Sequence, residues 1–205
     1  MSHNRPISER LSARVWRYPL SPDQWSGIAF GSLVAGAALL ACGRTRVGGS
    51  LVQLGAVLDG VDGGVARLQG TASPRGALLD LTLDRIGDVA VHSGLALAAG
   101  GTTVDWLLSS AATNGAVVAS VVKERANAEG SAVIALEEAD DPSRPPITLP
   151  TLADRDGRLL AAAIGGVIRS PRASLVWLAL VSNLRLVRRL RSARRLMQTP
   201  ASPTA

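Results

Sequence analysis

Long apolar runs alternate with short polar or glycine-rich breaks along most of this chain. A helix needs about 20 mostly apolar residues to cross roughly 30 Å of hydrocarbon, and six runs approach that length. The first covers about 24–42, QWSGIAFGSLVAGAALLAC, and ends at the turn GRTR. The second begins near Val47 and carries Asp59 and Asp62 near its end, whereas the third begins near Gly76 and carries Asp80 and Asp84 near its start. A fourth, VDWLLSSAATNGAVVASVV, follows the turn GGTT and ends at Lys123. Beyond an acidic, proline-containing stretch from about Ala126 to Pro150 come GRLLAAAIGGVI and, past RSPR, ASLVWLALVSNLRLV. The second to fourth runs hold acids and the fifth is short, so hydropathy alone would accept three or four of them. Small residues pervade all six, and these let membrane helices pack closely and shield polar groups on inner faces. The pattern therefore predicts an all-α, polytopic integral membrane protein with six transmembrane helices.

Charge orients those spans. With six spans both termini lie on one side. That side holds Arg5, Arg10, Arg14 and Arg17, the C-terminal RLVRRLRSARR, the 67–75 loop and the segment from Lys123 to Arg155. The other side has only GRTR, GGTT and RSPR, so the excess of arginine places the termini and the aspartates in the cytoplasm. Residues 6–20 are expected to form an amphipathic helix on that face, with Leu11, Val15 and Trp16 toward lipid and the arginines toward headgroups. The expected organisation is a cytoplasmic amphipathic segment at 1–20, a six-helix membrane domain at 21–195 and a disordered tail at 196–205. Arg188, Arg189, Arg191, Arg194 and Arg195 read as topology signals, and EEADDPSRP as a solvated connector.

Composition narrows the partners. The formal net charge is +6 and the sequence pI about 11.1, yet 47% of residues are hydrophobic and only 3% aromatic, with a mean hydropathy of +0.23. Basic proteins that bind nucleic acid are usually polar and use aromatic stacking, so a membrane is the expected partner and nucleic acid is not. The single cysteine, Cys42, excludes an internal disulfide framework and a cysteine-based zinc site, and reads as a packed small residue. The N-terminus lacks the small-residue cleavage pattern of an exported leader.

Four aspartates in this apolar setting then need a reason. Asp59 and Asp62 are three apart and Asp80 and Asp84 four apart, spacings that put each pair on one helical face. The second and third runs are antiparallel neighbours, so the four carboxylates are expected to converge at one end of the bundle. Ionised carboxylates that close repel one another, and either protonation or divalent cations resolve the repulsion. All-oxygen ligation favours Mg2+, Mn2+ or Ca2+ over zinc, and a proton relay needs fewer acids. Gly60, Gly63, Gly64 and Gly76 keep the helix surfaces bare enough for a phosphate to approach, and Arg67, one turn past Gly63, offers a fork for its oxygens. Helix packing is the other role open to these glycines.

The stretch DGVDGGVARLQGTASPRGALLDLTLD, from Asp59 to Asp84, fits in full a signature of Asp, two residues, Asp-Gly, two residues, Ala-Arg, eight residues, Gly, three residues, Asp, three residues, Asp. On these residues the chain resembles the CDP-alcohol phosphotransferase family, and most of all its bacterial phosphatidylinositol phosphate synthase branch, with Ser73 in the loop and DRIGD closing the motif. SPDQW at 21–25 is similar to the segment that opens the first helix in that branch, with Asp23 where Asn is usual. The resemblance implies six-helix enzymes of the bacterial cytoplasmic membrane that move a phosphatidyl or similar group from a CDP-linked donor to a hydroxyl, releasing CMP. It implies that Asp59, Asp62, Asp80 and Asp84 hold two Mg2+ or Mn2+ ions and that Asp84 also serves as the base. The CDP donor, CDP-diacylglycerol, would meet Gly63, Arg67, Ser73 and Gly76, together with Pro22, Asp23, Gln24 and Trp25. By analogy with relatives, a homodimer is expected.

The acceptor is read from SVVKERANAEG, residues 120–130, which is similar to a segment S-x-x-K-x-R-A-E in relatives that use inositol phosphate; Asn127 stands where Glu is usual. On that resemblance Lys123 and Arg125, with Arg155 and Arg185, are expected to hold the phosphate of a phosphorylated polyol, inositol 1-phosphate first and glycerol 3-phosphate second. A water-soluble CDP-inositol donor, a carboxylate-based cation or proton transporter and a non-catalytic scaffold are the alternatives. His92 reads as a packed or hydrogen-bonded residue.

Overall fold

The polar breaks between apolar runs become helix caps. Ser21 caps the helix that follows it: its Oγ accepts the Gln24 N–H at 3.3 Å while Gln24 Oε1 accepts the Ser21 N–H at 2.8 Å, with Pro22 at the first helical position. Ser73 caps the next acid-bearing helix by accepting the Gly76 N–H at 3.1 Å, ahead of Pro74. Gly70, at φ 68°, ends the helix before it in the left-handed conformation that glycine adopts without steric cost.

The computed structural model describes residues 5–128 and 154–197. Those residues form α1 (Arg5–Val15), α2 (Pro22–Ala41), α3 (Thr45–Gln69), α4 (Pro74–Ala99), α5 (Thr103–Ala128), α6 (Arg155–Val167) and α7 (Pro171–Met197). Among the described residues there is no strand. Helices α2 to α7 fall on the six apolar runs, and several extend past them. The α3–α4 connection is residues 70–73, shorter than the 67–75 loop expected, because Arg67 is still helical. The acidic stretch EEADDPSRP and the segment from 198 onward lie outside the described residues.

Helix α4 is the hub, packing against α2, α5, α6 and α7, while α3 packs against α1, α2 and α6 and α5 packs chiefly on α7. Small residues set these distances. A Cβ on Gly36 of α2 would come within 2.9 Å of the Gly48 carbonyl oxygen of α3, and one on Gly94 of α4 within 2.5 Å of Ala37 O. Backbones in such close contact leave no room for a side chain, which is how small residues hold membrane helices together. Leu33, Leu40, Val52, Val91, Leu95, Leu159, Leu175 and Leu178 fill the interior between them.

The outer faces are apolar as well. Leu78, Leu107, Val121 and Leu180 are each more than 60% exposed, while Asp88, His92 and Arg158 are buried. Water does not favour that distribution; lipid does. By length and hydropathy one described helix, α2, suffices to cross a membrane on its own, because the acids on α3 and α4, the polar and charged residues of α5, the shortness of α6 and the arginines of α7 lower the others.

Helix α1 packs on α3: Ser12 is buried and donates from Oγ to Val61 O at 3.2 Å, and Leu11, Val15 and Trp16 are half-buried. Two expectations are corrected. Cys42 is exposed at the C-cap of α2 rather than packed, since the helix ends just there. Arg189 is not a surface topology signal; it is 5% exposed and donates to Ala119 O at 2.6 Å, tying α7 to the last turns of α5.

Candidate active site

The second and third apolar runs were expected to pack as neighbours; instead α3 and α4 make little direct contact and α2 packs against both, yet the acids within about three turns of the short 70–73 connection on each helix still meet. Asp59, Asp80 and Asp84 each present a carboxylate oxygen within 4.8 Å of the other two. Asp62, three residues after Asp59, is turned by 60° on a helix of 100° per residue and faces α2 instead. Its Oδ2 accepts Ser26 Oγ at 2.5 Å and its Oδ1 the Gly63 N–H at 2.5 Å. Three acids therefore gather where four were expected, and the fourth is held beside them by a serine that sequence reading passed over.

A guanidinium from α6 closes the cluster, and Arg85 of α4 bears on Asp80 from the side. Arg155, the first residue of α6, pairs with Asp59 and reaches Asp84 Oδ1 at 2.9 Å through Nη2. That approach is an ion pair out of hydrogen-bond alignment, so Asp84 Oδ1 is buried and accepts no hydrogen bond. Three carboxylates against these cations leave negative charge in excess. Hard, all-oxygen donors with an oxygen left over suit Mg2+ or Mn2+, so the donor set fits a divalent ion held by Asp59, Asp80 and Asp84.

The glycines divide into two groups. A Cβ on Gly64 would strike the Ser12 side chain, a packing role, whereas one on Gly63 would meet only Arg67 Nη1 at 3.4 Å and one on Gly76 only Ser73 Oγ at 3.4 Å. Nothing in the fold requires Gly63 or Gly76 to be bare. Arg67 is exposed beside Gly63. Ser73, Pro22 and Gln24 have capping roles already, Asp23 is exposed in the first turn of α2, and the buried Trp25 Nε1 lacks a hydrogen-bond partner.

The predicted acceptor residues come from three helices, and two of them meet at the start of α6. Arg155 is at the acids, and Arg185 of α7 pairs with Asp154, the residue before α6. Lys123 is half-buried and Arg125 exposed on the last turns of α5. Asn127 and Glu129 have no described side chains. His92 is buried with Nδ1 2.9 Å from Thr113 Oγ1. Sequence reading also gave no role to Asp88, which Arg158 meets at 2.8 Å in the interior. The signal was present as spacing: Asp84 and Asp88 are one turn apart on α4, and Arg155 and Arg158 three residues apart on α6.

The family model for CDP-alcohol phosphatidyltransferase matches residues 22–138, more than half of the chain and including every acid of the cluster. The chain belongs to that family. Among curated relatives of this family, the bifunctional IPC transferase and DIPP synthase of Rubrobacter xylanophilus is 40% identical over 178 residues, which is 86% of this chain but 38% of that protein. The chain thus spans well under half the length of that relative. The phosphatidylinositol phosphate synthase of Mycobacteroides abscessus is 35% identical over 130 residues, 60% of this chain and 58% of the relative. The solved phosphatidylinositol phosphate synthase of Mycobacterium tuberculosis with CDP-DAG bound superposes with a TM-score of 0.70 over 98% of both chains at 24% identity, a match of fold. The same enzyme has been solved with manganese and citrate.

Proposed function

We propose that this chain is a membrane-embedded, divalent-metal-dependent transferase that moves a phosphatidyl group from CDP-diacylglycerol to a hydroxyl of a phosphorylated polyol, inositol 1-phosphate, releasing CMP. The observation that carries this reading is the convergence of Asp59, Asp80 and Asp84 on one point, with Arg155 on its rim and bare glycine surface at Gly63 and Gly76. Family membership supports the chemistry, and the names of the relatives support the acceptor. The reading includes six membrane spans, α1 on the cytoplasmic surface, a cytoplasm-facing site in the bacterial membrane and a homodimer.

In this reading Asp59, Asp80 and Asp84, with Asp62 held close by Ser26, bind two Mg2+ or Mn2+ ions. Such ions, when bound, neutralise the diphosphate oxygens and stabilise both attack and departure in an in-line displacement. Gly63 and Gly76 let the cytidine diphosphate approach the helix backbones, and Arg67, Ser73 and the residues from Pro22 to Trp25 border it. Arg155, with Lys123, Arg125 and Arg185, attracts the acceptor's phosphate, since guanidinium and ammonium groups satisfy a dianion better than neutral donors do. Asp84 accepts the proton of the attacking hydroxyl. An oxygen–phosphorus bond to the acceptor forms as the bond from that phosphorus to the CMP oxygen breaks.

The test is an acceptor screen with purified protein and radiolabelled CDP-diacylglycerol. Metal-dependent CMP release with inositol 1-phosphate, and a matching phosphoinositide lipid by mass spectrometry, is the expected outcome. Preference for glycerol 3-phosphate would replace the acceptor, and cation flux without CMP release would overturn the enzyme reading. A second reading, a water-soluble CDP-inositol donor, draws on the 40% identity to a bifunctional relative that is not named for a phosphatidyl lipid. CMP release from CDP-inositol but not from CDP-diacylglycerol would establish it.

A further inference from the structure

We propose that the buried Asp88–Arg158 pair is a positioning device for Arg155: it locks the first turn of α6 against α4 so that the Arg155 guanidinium stands at the rim of the acid cluster. The inference rests on the reading of Arg155 as a ligand for the acceptor's phosphate.

The two helices carry a ladder of two rungs. On α4, Asp84 and Asp88 are one turn apart, and on α6, Arg155 and Arg158 are just under one turn apart. The upper rung joins Arg155 to Asp59 and Asp84, and the lower joins Arg158 Nη2 to Asp88 Oδ2 at 2.8 Å. The rungs differ in access. The side chains of Arg158 and Asp88 are 6% and 1% exposed, against 14% and 15% for Arg155 and Asp84, so only the upper rung borders space a substrate could enter. Arg85 of α4 stands 3.6 Å from the same Asp88 oxygen and keeps the lower rung cationic on both flanks. Between the rungs Gly87 packs α4 against α2, where a Cβ would come within 3.2 Å of Leu33 Cδ1, and leaves Arg155 Nη2 4.0 Å from that position.

The first turn of α6 needs such a lock. The leading N–H groups of a helix have no partners within it, and an uncapped first turn frays. The N-cap residue of α6, Asp154, makes no side-chain cap; its carboxylate pairs with Arg185 of α7 instead. Side chains reaching α4 and α7 therefore hold the turn that bears Arg155. A buried ion pair adds little net stability compared with an apolar pair of the same volume, whereas it specifies geometry. Register, rather than stability, is the property that Asp88 and Arg158 supply.

A double-mutant cycle on the full-length protein in lipid nanodiscs tests this, with CMP release measured against inositol 1-phosphate at saturating CDP-diacylglycerol and Mg2+. Arg155→Ala is expected to raise KM for inositol 1-phosphate about 30-fold and Asp88→Asn about tenfold, with KM for CDP-diacylglycerol within about twofold of wild type. Combining them should give no more than the effect of Arg155→Ala alone, because Asp88 acts through that side chain. Multiplying effects in the double variant, or equal shifts in both KM values, would show Asp88 to be merely structural and overturn the proposal. An unchanged acceptor KM in Arg155→Ala, with CMP release still dependent on the acid cluster, would instead overturn the acceptor reading beneath it. Should Asp88→Asn fail to fold, Arg158→Lys carries the same cycle. It leaves Asp88 a cation but not the fork, and its expected rise in acceptor KM, about threefold, should likewise vanish in the Arg155→Ala background.

Discussion

Two ends of the bundle pair aspartate with arginine, and they do so differently. At the start of α5, Asp105 Oδ2 accepts the Thr102 N–H at 3.0 Å and its hydroxyl at 2.7 Å, and Arg172 of α7 grips both carboxylate oxygens at 2.7 and 3.0 Å while also reaching Ala99 O at 3.3 Å. One acid meets one base, and both its oxygens are engaged. At the α3–α4 end three acids share the Arg155 guanidinium, with Arg85 bearing on Asp80 from the same helix, and an oxygen of Asp84 is buried without a hydrogen bond. A carboxylate whose bonds are complete ties helices together. Carboxylates in excess of their partners cost stability and are retained where a ligand completes them. The difference marks one end as a staple and the other as a site.

The comparison can be broken most sharply by withdrawing the ion. Chelation with EDTA should take CMP release to background and addition of Mg2+ or Mn2+ should restore it, while the Asp105–Arg172 end keeps the helices assembled; activity that survives chelation would remove the metal from the scheme. Asp84→Asn should lower turnover about 10³-fold, the scale of a lost general base, with circular dichroism unchanged. Asp105→Asn should leave turnover within about twofold, since it touches nothing at the cluster, and a comparable loss from both variants would erase the distinction between the ends. Gly63→Ala should raise KM for CDP-diacylglycerol several-fold without lowering the melting temperature, whereas Gly64→Ala, whose Cβ meets Ser12, should do the reverse. The smallest effect is expected from Arg172→Ala: with Arg172 more than half exposed, the midpoint of thermal unfolding should fall by only a few degrees, and a change in acceptor KM would argue against a purely structural role.

Much of the site was legible before folding, and for a local reason. Asp59, Asp80 and Asp84 are close in sequence and flank one short turn, so spacing pointed to their meeting, although α2, packed against both α3 and α4, is what holds the two helices in place. The glycines were less legible: Gly63 and Gly64 are neighbours in the chain, and only the seating of α1 on α3 assigns one to packing and leaves the other bare. Ser21-x-x-Gln24 carried a capping signature that was read only as a donor contact. The partners of the distant arginines were less legible: Arg155 and Arg185 were singled out for the acceptor's phosphate, but not the acids they pair with. Arg155 is 96 residues from Asp59, and its placement depends on how α6 returns to α3 and α4.

By itself the sequence determined the all-helical class, the family and the gathering of acids, because these rest on hydrophobic period, on helical spacing and on a motif contained within one helical hairpin. Tertiary structure decided which acids point together, and turned Asp62 toward Ser26 of α2. It also decided which arginines serve which acids: Arg155 the cluster, Arg158 the buried Asp88, Arg185 the Asp154 that precedes α6, Arg172 the far end. Arginines look alike along a chain, and a pairing energy depends on distance and burial, quantities that exist only once the helices have packed.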